Sequence, residues 1–93
     1  MTTIDHNESL DVILVTPSLF PEQEDVELWA TVFLHHAQIK WIELHVGADR
    51  YQVRFKYQNE GFALNYDYYS QSIWITPEGL KSSQLLANLS KIL

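Results

Sequence analysis

The sequence predicts a single α+β domain, a two-layer sandwich in which two helices cover one face of a mainly antiparallel sheet. Residues 41–75 alternate apolar and polar side chains in four runs that are separated by turn-like segments, which is typical of a β meander. On each side of this meander, apolar residues recur at helical spacing. Together with an apolar run at residues 10–16, these patterns predict the element order β-α-β-β-β-β-α.

The N-terminal part of the chain contains two different segments. Residues 1–9 are polar, so we expect them to be frayed and the domain itself to span residues 10–93. Residues 10–16 are apolar and rich in β-branched side chains, which predicts a strand buried on both faces. The position of this strand in the sheet stays open, and a parallel pairing with an edge of the meander, through a right-handed crossover, is one arrangement.

The first helix is predicted over residues 22–38, with Pro21 placed to open it. Acidic side chains occupy its first turns, where the helix dipole favours anions. Its apolar stripe consists of Val26, Trp29, Ala30, Phe33, Leu34 and Ala37. Leu28 and Val32 point away from this stripe, so burial of one helix face does not explain them.

The meander is predicted to fold about residues 47–50, 58–61 and 69–72. This register places apolar side chains on an inner face, with Tyr68 opposite Ile73 among them. The inner face also carries Leu44, Val53, Phe55, Leu64, Tyr66 and Ile75. The outer face carries Trp41, Glu43, His45, Arg54, Lys56, Asp67 and Trp74.

The last helix is predicted to begin with Thr76 as its N-cap and Pro77 at its first helical position. Its apolar stripe consists of Leu85, Leu86, Leu89, Ile92 and Leu93. Both helices are expected to lie on the inner face of the sheet.

Charge and composition exclude several classes of protein. The net charge is −6, and residues 1–39 contain seven acids and no Lys or Arg, which argues against nucleic acid as a partner. This acidic half is consistent with solubility and with attraction of a basic protein. The longest apolar run, residues 12–15, is far shorter than the roughly 20 residues of a membrane span. The absence of cysteine and of a signal-peptide pattern predicts a cytoplasmic protein.

No motif for catalysis, a cofactor or a metal stands out. Glu43 and His45 share a strand face and are the best pair of metal ligands, but Asp67 lies two strands away, about 9–10 Å. Ligand atoms lie only ~2 Å from a transition metal, so we predict no metal site. Since no nucleophile has an obvious base and no phosphate-binding loop is present, the sequence favours a non-enzymatic protein without a cofactor.

The outer face is the better functional candidate, because Trp and Arg are enriched at protein interfaces. We expect this face, together with Leu28 and Val32, to bind a protein partner or a second copy of the chain in an adaptor or regulatory role. Ordinary solvated cross-strand pairs, Glu43–Arg54 and Trp41–Lys56, explain the same residues equally well. A second function class is a small-molecule site or enzyme between the sheet and the helix ends, using Tyr51, Tyr66 or Tyr68.

Two segments carry a resemblance to a known family. These are Val46-Gly47-Ala48-Asp49-Arg50 and the stretch from Tyr68 to Ile75, which reads Tyr-Tyr-Ser-Gln-Ser-Ile-Trp-Ile. The chain resembles a family of short uncharacterised proteins from marine gammaproteobacteria, over most of its length. The resemblance implies a bacterial cytoplasmic source and no particular chemistry.

Overall fold

The computed structural model describes residues 2–93, which form a six-stranded antiparallel sheet with helices packed on one face. The strands are β1 (Thr3–Asn7), β2 (Val12–Thr16), β3 (Ile39–Val46), β4 (Arg50–Tyr57), β5 (Glu60–Asp67) and β6 (Ser72–Pro77). The helices are α1 (Val26–Phe33), α2 (Leu80–Gln84) and α3 (Leu86–Ile92). The order in the sheet is β1-β2-β6-β5-β4-β3. The predicted α+β class, with helices on one face of an antiparallel sheet, is therefore confirmed.

The N-terminal segment is more ordered than its polarity predicts. Within the predicted frayed end, residues 1–9, Met1 lies outside the described residues and Thr3–Asn7 form β1, an edge strand that pairs with β2. An edge strand tolerates polar side chains because one of its sides faces solvent. The half-buried Ile4 joins the core and fixes which face of β1 turns inward.

The strand β2 lies inside the sheet, between β1 and β6, and it is antiparallel to both. The parallel pairing at an edge of the meander is therefore wrong. Only one face of β2 is buried, through Ile13 and Val15, whereas Leu14 on the other face is 37% exposed. The expectation that this strand is buried on both faces is therefore wrong, because no layer covers the outer face of the sheet there.

The second hairpin of the meander is tighter than predicted, and the third is shifted in register. Gln58 and Asn59 form a two-residue turn, and both have positive φ values, 52° and 67°, as a type I′ turn requires. The third turn keeps four residues but begins one residue earlier than predicted, which shifts the pairing by two residues, so that Tyr66 rather than Tyr68 lies opposite Ile73. A shift of two residues preserves the face of each remaining side chain. Tyr68 itself leaves the sheet and is 38% exposed, so its assignment to the core is wrong.

A β-bulge in β3 changes the face of one predicted site residue. Glu43 pairs with Arg54 as predicted, but Trp41 pairs with Phe55 because Ile42 is an additional residue on the β3 side. The bulge turns the Trp41 ring inward against the core and leaves Ile42 40% exposed. The prediction that Trp41 lies on the outer face beside Lys56 is therefore wrong. Burial of the large indole favours the bulge, and an edge strand such as β3 accommodates it easily.

The helix α1 is shorter than the predicted span of residues 22–38. A single 3₁₀ turn, Gln23–Asp25, precedes it, and Leu34 is its C-cap. The His36 ring then accepts a hydrogen bond from the Gln38 backbone N–H at 3.0 Å, which stabilises a turn in place of further helix. The inner side of α1 is buried as predicted, through Val26, Ala30 and Leu34.

The C-terminal helices begin later than predicted. Pro77 is still part of β6, opposite Phe62, and Gly79 is the N-cap of α2. The buried Ser82 hydroxyl accepts hydrogen bonds from the backbone N–H groups of Glu78 (3.1 Å) and Gly79 (2.9 Å), which satisfies two donors ahead of α2, and the prediction of Thr76 as the N-cap is wrong. In α3, Leu86 and Leu89 are fully buried against the sheet.

Candidate functional site

The structure separates the predicted site residues into three places. The outer sheet face, as predicted, carries Glu43, His45, Arg54, Lys56, Asp67 and Trp74. Trp41 lies on the inner face, and Leu28 and Val32 lie on α1, in the layer that covers that inner face. The residues therefore do not form one continuous surface.

An ion-pair network occupies the β3–β4 side of the outer face. The Arg54 guanidinium donates to both carboxylate oxygens of Glu78, at 2.7 and 3.1 Å, and to Oε1 of Glu43 at 2.7 Å. His45 Nε2 lies 3.2 Å from the same Glu43 oxygen. Hydrogen bonds from Arg54, and secondly from His45, hold the pKa of Glu43 below its ordinary value.

Glu78 is the member of this network that the sequence reasoning missed. A Cβ atom on Gly61 would meet the Glu78 carboxylate, so the glycine leaves the space in which Glu78 lies over β5 and reaches Arg54. The backbone N–H of Glu78 also donates to the Gly61 carbonyl at 3.1 Å. The sequence analysis placed Gly61 in the turn at residues 58–61, whereas it lies in β5, so the pattern gave no signal for this contact.

The middle of the outer face is a network of side-chain amides. The Asn65 amide nitrogen donates to the carbonyls of Ala63 and Trp74, both at 3.2 Å, and to the Thr76 hydroxyl at 3.1 Å. Its oxygen accepts from Gln52 at 2.9 Å. The polar groups in this region therefore already have partners within the chain.

The β2–β6 side of the outer face is apolar. Trp74 is half-buried between its cross-strand neighbours Leu14 and Asn65. A shallow depression of about 490 Å³ lies here, and Leu10, 66% exposed, stands at it. We call this region, made of Leu10, Val12, Leu14 and Trp74, the Trp74 strip.

The second apolar surface is a groove between α1 and the loop that leads into it. We call it the α1 groove; its volume is about 410 Å³. It is lined by Leu19, Phe20, Pro21, Glu22, Asp25, Leu28, Trp29 and Val32. Leu19 is 84% exposed, and Leu28 and Val32 are each 68% exposed. Leu28 and Val32 were noted in the sequence, whereas Leu19 and Phe20 were not, because residues in a loop show no periodicity.

Buried aromatic contacts hold the walls of the α1 groove in place. The Tyr66 hydroxyl donates to the Pro21 carbonyl at 2.9 Å, and the Phe20 ring centroid lies 5.1 Å from that of Tyr66. On the helix side, Trp29 stacks on Phe33 with a centroid distance of 4.9 Å. Burial, with a smaller contribution from Tyr68, raises the pKa of Tyr66, so its hydroxyl remains a donor at neutral pH.

Two carboxylates, Glu22 and Asp25, border the α1 groove. Both occupy helix-capping positions, before the 3₁₀ turn and before α1 respectively, yet neither side chain makes a capping hydrogen bond. The ion pairs found within residues 2–93 involve only Glu43, His45, Arg54 and Glu78. The charges at the groove thus differ from those of the Arg54 network on the outer face, which are paired.

The tyrosines proposed for a small-molecule or catalytic cleft have other roles. The Tyr66 hydroxyl is bound to Pro21, the Tyr51 ring packs edge-on against Tyr66 at 5.8 Å, and Tyr68 lies exposed in a turn. In the described part of the chain, no group of three or more His, Cys, Asp or Glu side chains is arranged to hold a metal ion. None of the helices in residues 2–93 combines the length and apolar content needed to cross a membrane.

Comparison with known protein families gives a match over the whole chain. A family described as "Protein of unknown function (DUF3630)" matches residues 1–93. No curated protein and no solved structure matches the chain. The match confirms the resemblance to an uncharacterised family.

Proposed function

The chain belongs to the DUF3630 family of proteins of unknown function, and we propose that it is a non-enzymatic protein-interaction domain that binds through the α1 groove. One observation carries this proposal: Leu19, Leu28 and Val32 are each more than two-thirds exposed around a single concavity. Exposed apolar side chains that are contiguous on a folded protein, rather than scattered singly, commonly mark an interaction site.

The geometry of the groove favours a protein over a small molecule. A small-molecule site typically buries most of its ligand between walls that are themselves buried. Here Leu28 and Val32 are exposed on α1, whereas the aromatic side chains Phe20 and Trp29, which also line the groove, are half-buried. Projecting aliphatic side chains around aromatic anchors are typical of the core of a protein interface.

The outer sheet face is a weaker candidate for the same function than sequence reasoning suggests. A partner that covered Arg54, Glu43 and Glu78 would remove paired charges from water at a cost and without a new pairing. The Trp74 strip is the exception, because its exposed leucines flank a tryptophan and carry no charge. It supports a second docking surface for a protein, and variants of Trp74 belong in the same experiment.

Peptide selection tests the proposal without knowledge of the natural partner. A phage library of random 16-residue peptides is selected on the immobilised full chain. We expect the enriched peptides to lose about tenfold or more in affinity for Leu28→Glu and Val32→Glu, because a charge in the centre of an apolar interface removes its main contacts. Leu80→Glu is the matched control, since Leu80 is 78% exposed on α2, away from the groove residues.

Three outcomes would contradict the proposal. Peptides that bind Leu28→Glu as tightly as the wild type would place binding elsewhere. Loss of binding in Trp74→Ser alone would move the site to the outer sheet face. Absence of enriched peptides, combined with saturable binding of a small amphiphile such as dodecyltrimethylammonium, would favour the small-molecule class.

A further inference from the structure

We infer that the partner of the α1 groove is a basic amphipathic segment, whose apolar side chains enter the groove and whose Lys or Arg side chains pair with Glu22 and Asp25. This inference rests on the proposed function and adds the chemical class of the partner.

The free state of the two carboxylates is the first argument. Asp25 ends the 3₁₀ turn that leads into α1, and because its backbone is already helical its side chain makes no capping hydrogen bond. Glu22 precedes the 3₁₀ turn and makes none either. The helix dipole favours acidic residues at this end of α1, and both carboxylates border the apolar groove without an ion-pair partner in residues 2–93, so they are available to a cation of a partner.

The distribution of charge is the second argument. All six Lys and Arg residues lie within residues 40–93, whereas residues 1–39 contain seven acids and no Lys or Arg. Arg54, the best-placed cation on the sheet, is bound to Glu43 and Glu78. The charged residues that line the groove, Glu22 and Asp25, are both acidic, and acidic side chains at a docking site speed the approach of a basic partner and disfavour an acidic one.

The spacing along α1 is the third argument. Leu28, Trp29 and Val32 follow Asp25 by three, four and seven residues, which places them along one side of the helix. A partner helix that presents anchors at the same intervals matches this row. Because the carboxylates lie at the start of α1, the cations of the partner are expected at that end of the groove and its apolar anchors towards Val32.

Three synthetic peptides of 14 residues test the inference. The first carries Leu at helical spacing with Lys at the other positions, the second has Gln in place of Lys, and the third has Ala in place of Leu. Binding to the full chain is measured by fluorescence anisotropy at 50 mM salt. We expect the Leu/Lys peptide to bind about fivefold more tightly than the Leu/Gln peptide, since exposed ion pairs are individually weak. The Ala/Lys peptide should not bind measurably.

Charge-neutral variants locate the effect. Glu22→Gln with Asp25→Asn should abolish the fivefold preference for Lys and leave binding of the Leu/Gln peptide unchanged. The control is Asp5→Asn with Glu8→Gln, which removes the same charge from exposed positions in the N-terminal hairpin. This control should retain most of the preference. Raising the salt concentration to 300 mM should reduce the preference in the wild type.

The outcomes separate the inference from the proposed function. Equal affinity for the Lys and Gln peptides, with sensitivity to Leu28→Glu, would overturn the basic partner and support the groove. An equal effect of the two charge-neutral pairs would also overturn it, because the attraction would then be a property of the whole chain. Failure of both peptides to bind would contradict the proposed function as well.

Discussion

The outer sheet face and the α1 groove differ in how their charged side chains are partnered. On the sheet, Arg54 joins Glu43 and Glu78 through three hydrogen bonds of 2.7 to 3.1 Å. At the groove, Glu22 and Asp25 stand beside exposed leucines and take part in none of the ion pairs found in residues 2–93. The outer sheet face, which has more charged side chains, thus has the ion pairs within the chain, whereas the groove carboxylates have none.

This difference matters for binding energy. A partner on the Arg54 network must first compensate for the loss of hydration of groups that already have their bonds. A partner in the α1 groove covers apolar surface, which contributes about 25 cal/mol per Å² removed from water. It also meets carboxylates that have no competing ion pair. For the same contact area, we therefore expect a more favourable free energy of binding at the groove than at the Arg54 network.

The largest expected effect concerns the two tryptophans that the bulge in β3 places on opposite faces. Trp41→Ala should lower the free energy of unfolding by about 3 kcal/mol, because its ring packs against the core. Trp74→Ala should lower it by about 1 kcal/mol, since its ring is half-exposed on the outer face. Urea denaturation of both variants measures the difference. A larger effect for Trp74 would contradict the bulge and return Trp41 to the outer face.

A smaller effect separates the paired charges from the unpaired ones. Arg54→Met should lower the free energy of unfolding, because it leaves Glu43 and Glu78 close together without their shared cation. We expect this effect to be smaller than that of Trp41→Ala. The pair Glu22→Gln and Asp25→Asn should not lower the free energy of unfolding below that of the wild type. Thermal unfolding at low and high salt measures both, and the Arg54 effect should shrink as salt rises. If the groove pair proves as destabilising as Arg54→Met, its carboxylates have structural partners and the binding argument fails.

The alternation of apolar and polar residues was enough to predict the strands of the meander and the face on which most of their side chains lie. Period-2 alternation identified four strands and their faces, and a hairpin that slips by two residues leaves those faces unchanged, as the tight turn at Gln58–Asn59 shows. An additional residue in one strand, such as Ile42 in β3, does change the face on which the neighbouring side chains lie. Nothing in the alternation of β3 marks Ile42 as additional, because Trp41 and Ile42 are both apolar and either can face the core. The bulge depends on tertiary packing that no local pattern records.

The site was less predictable than the fold. Leu28 and Val32 could be identified, since they interrupt the polar side of a helical pattern, but the opposite wall at Leu19 and Phe20 is a loop held by Tyr66, more than forty residues away. The same limit applies to the Arg54 network. Its third member, Glu78, reaches Arg54 over Gly61, a contact set by the pairing of β5 with β6.

Acid should reduce the stability that the Glu43 contact on the outer face contributes to the folded chain. The pKa of Glu43 is lowered by Arg54 in the folded chain from an ordinary value of about 4.5, so its contribution to stability is present above that value and is lost as the pH falls through the folded pKa. The stability difference between the wild type and Glu43→Gln should therefore be constant near neutral pH and decline below about pH 4.5. Urea denaturation at stepwise lower pH measures this decline. A difference that persists at pH 2 would mean that the Glu43 contact does not depend on its charge.

Alkali should reduce the stability that the Tyr66 hydroxyl contributes beside the α1 groove. We expect this to be the smallest of the predicted effects. Burial raises the pKa of Tyr66 above its ordinary value of 10.0, so the stability it contributes is present below pH 10 and is lost as the pH rises through the folded pKa. Ionisation removes the hydrogen bond to the Pro21 carbonyl and places a charge beneath Phe20. The difference in stability between the wild type and Tyr66→Phe should thus hold to pH 10 and shrink above it, while that between the wild type and Glu43→Gln should not change over this range. If both differences shrink together, the two surfaces are coupled through the sheet, and the groove cannot be treated as an independent site.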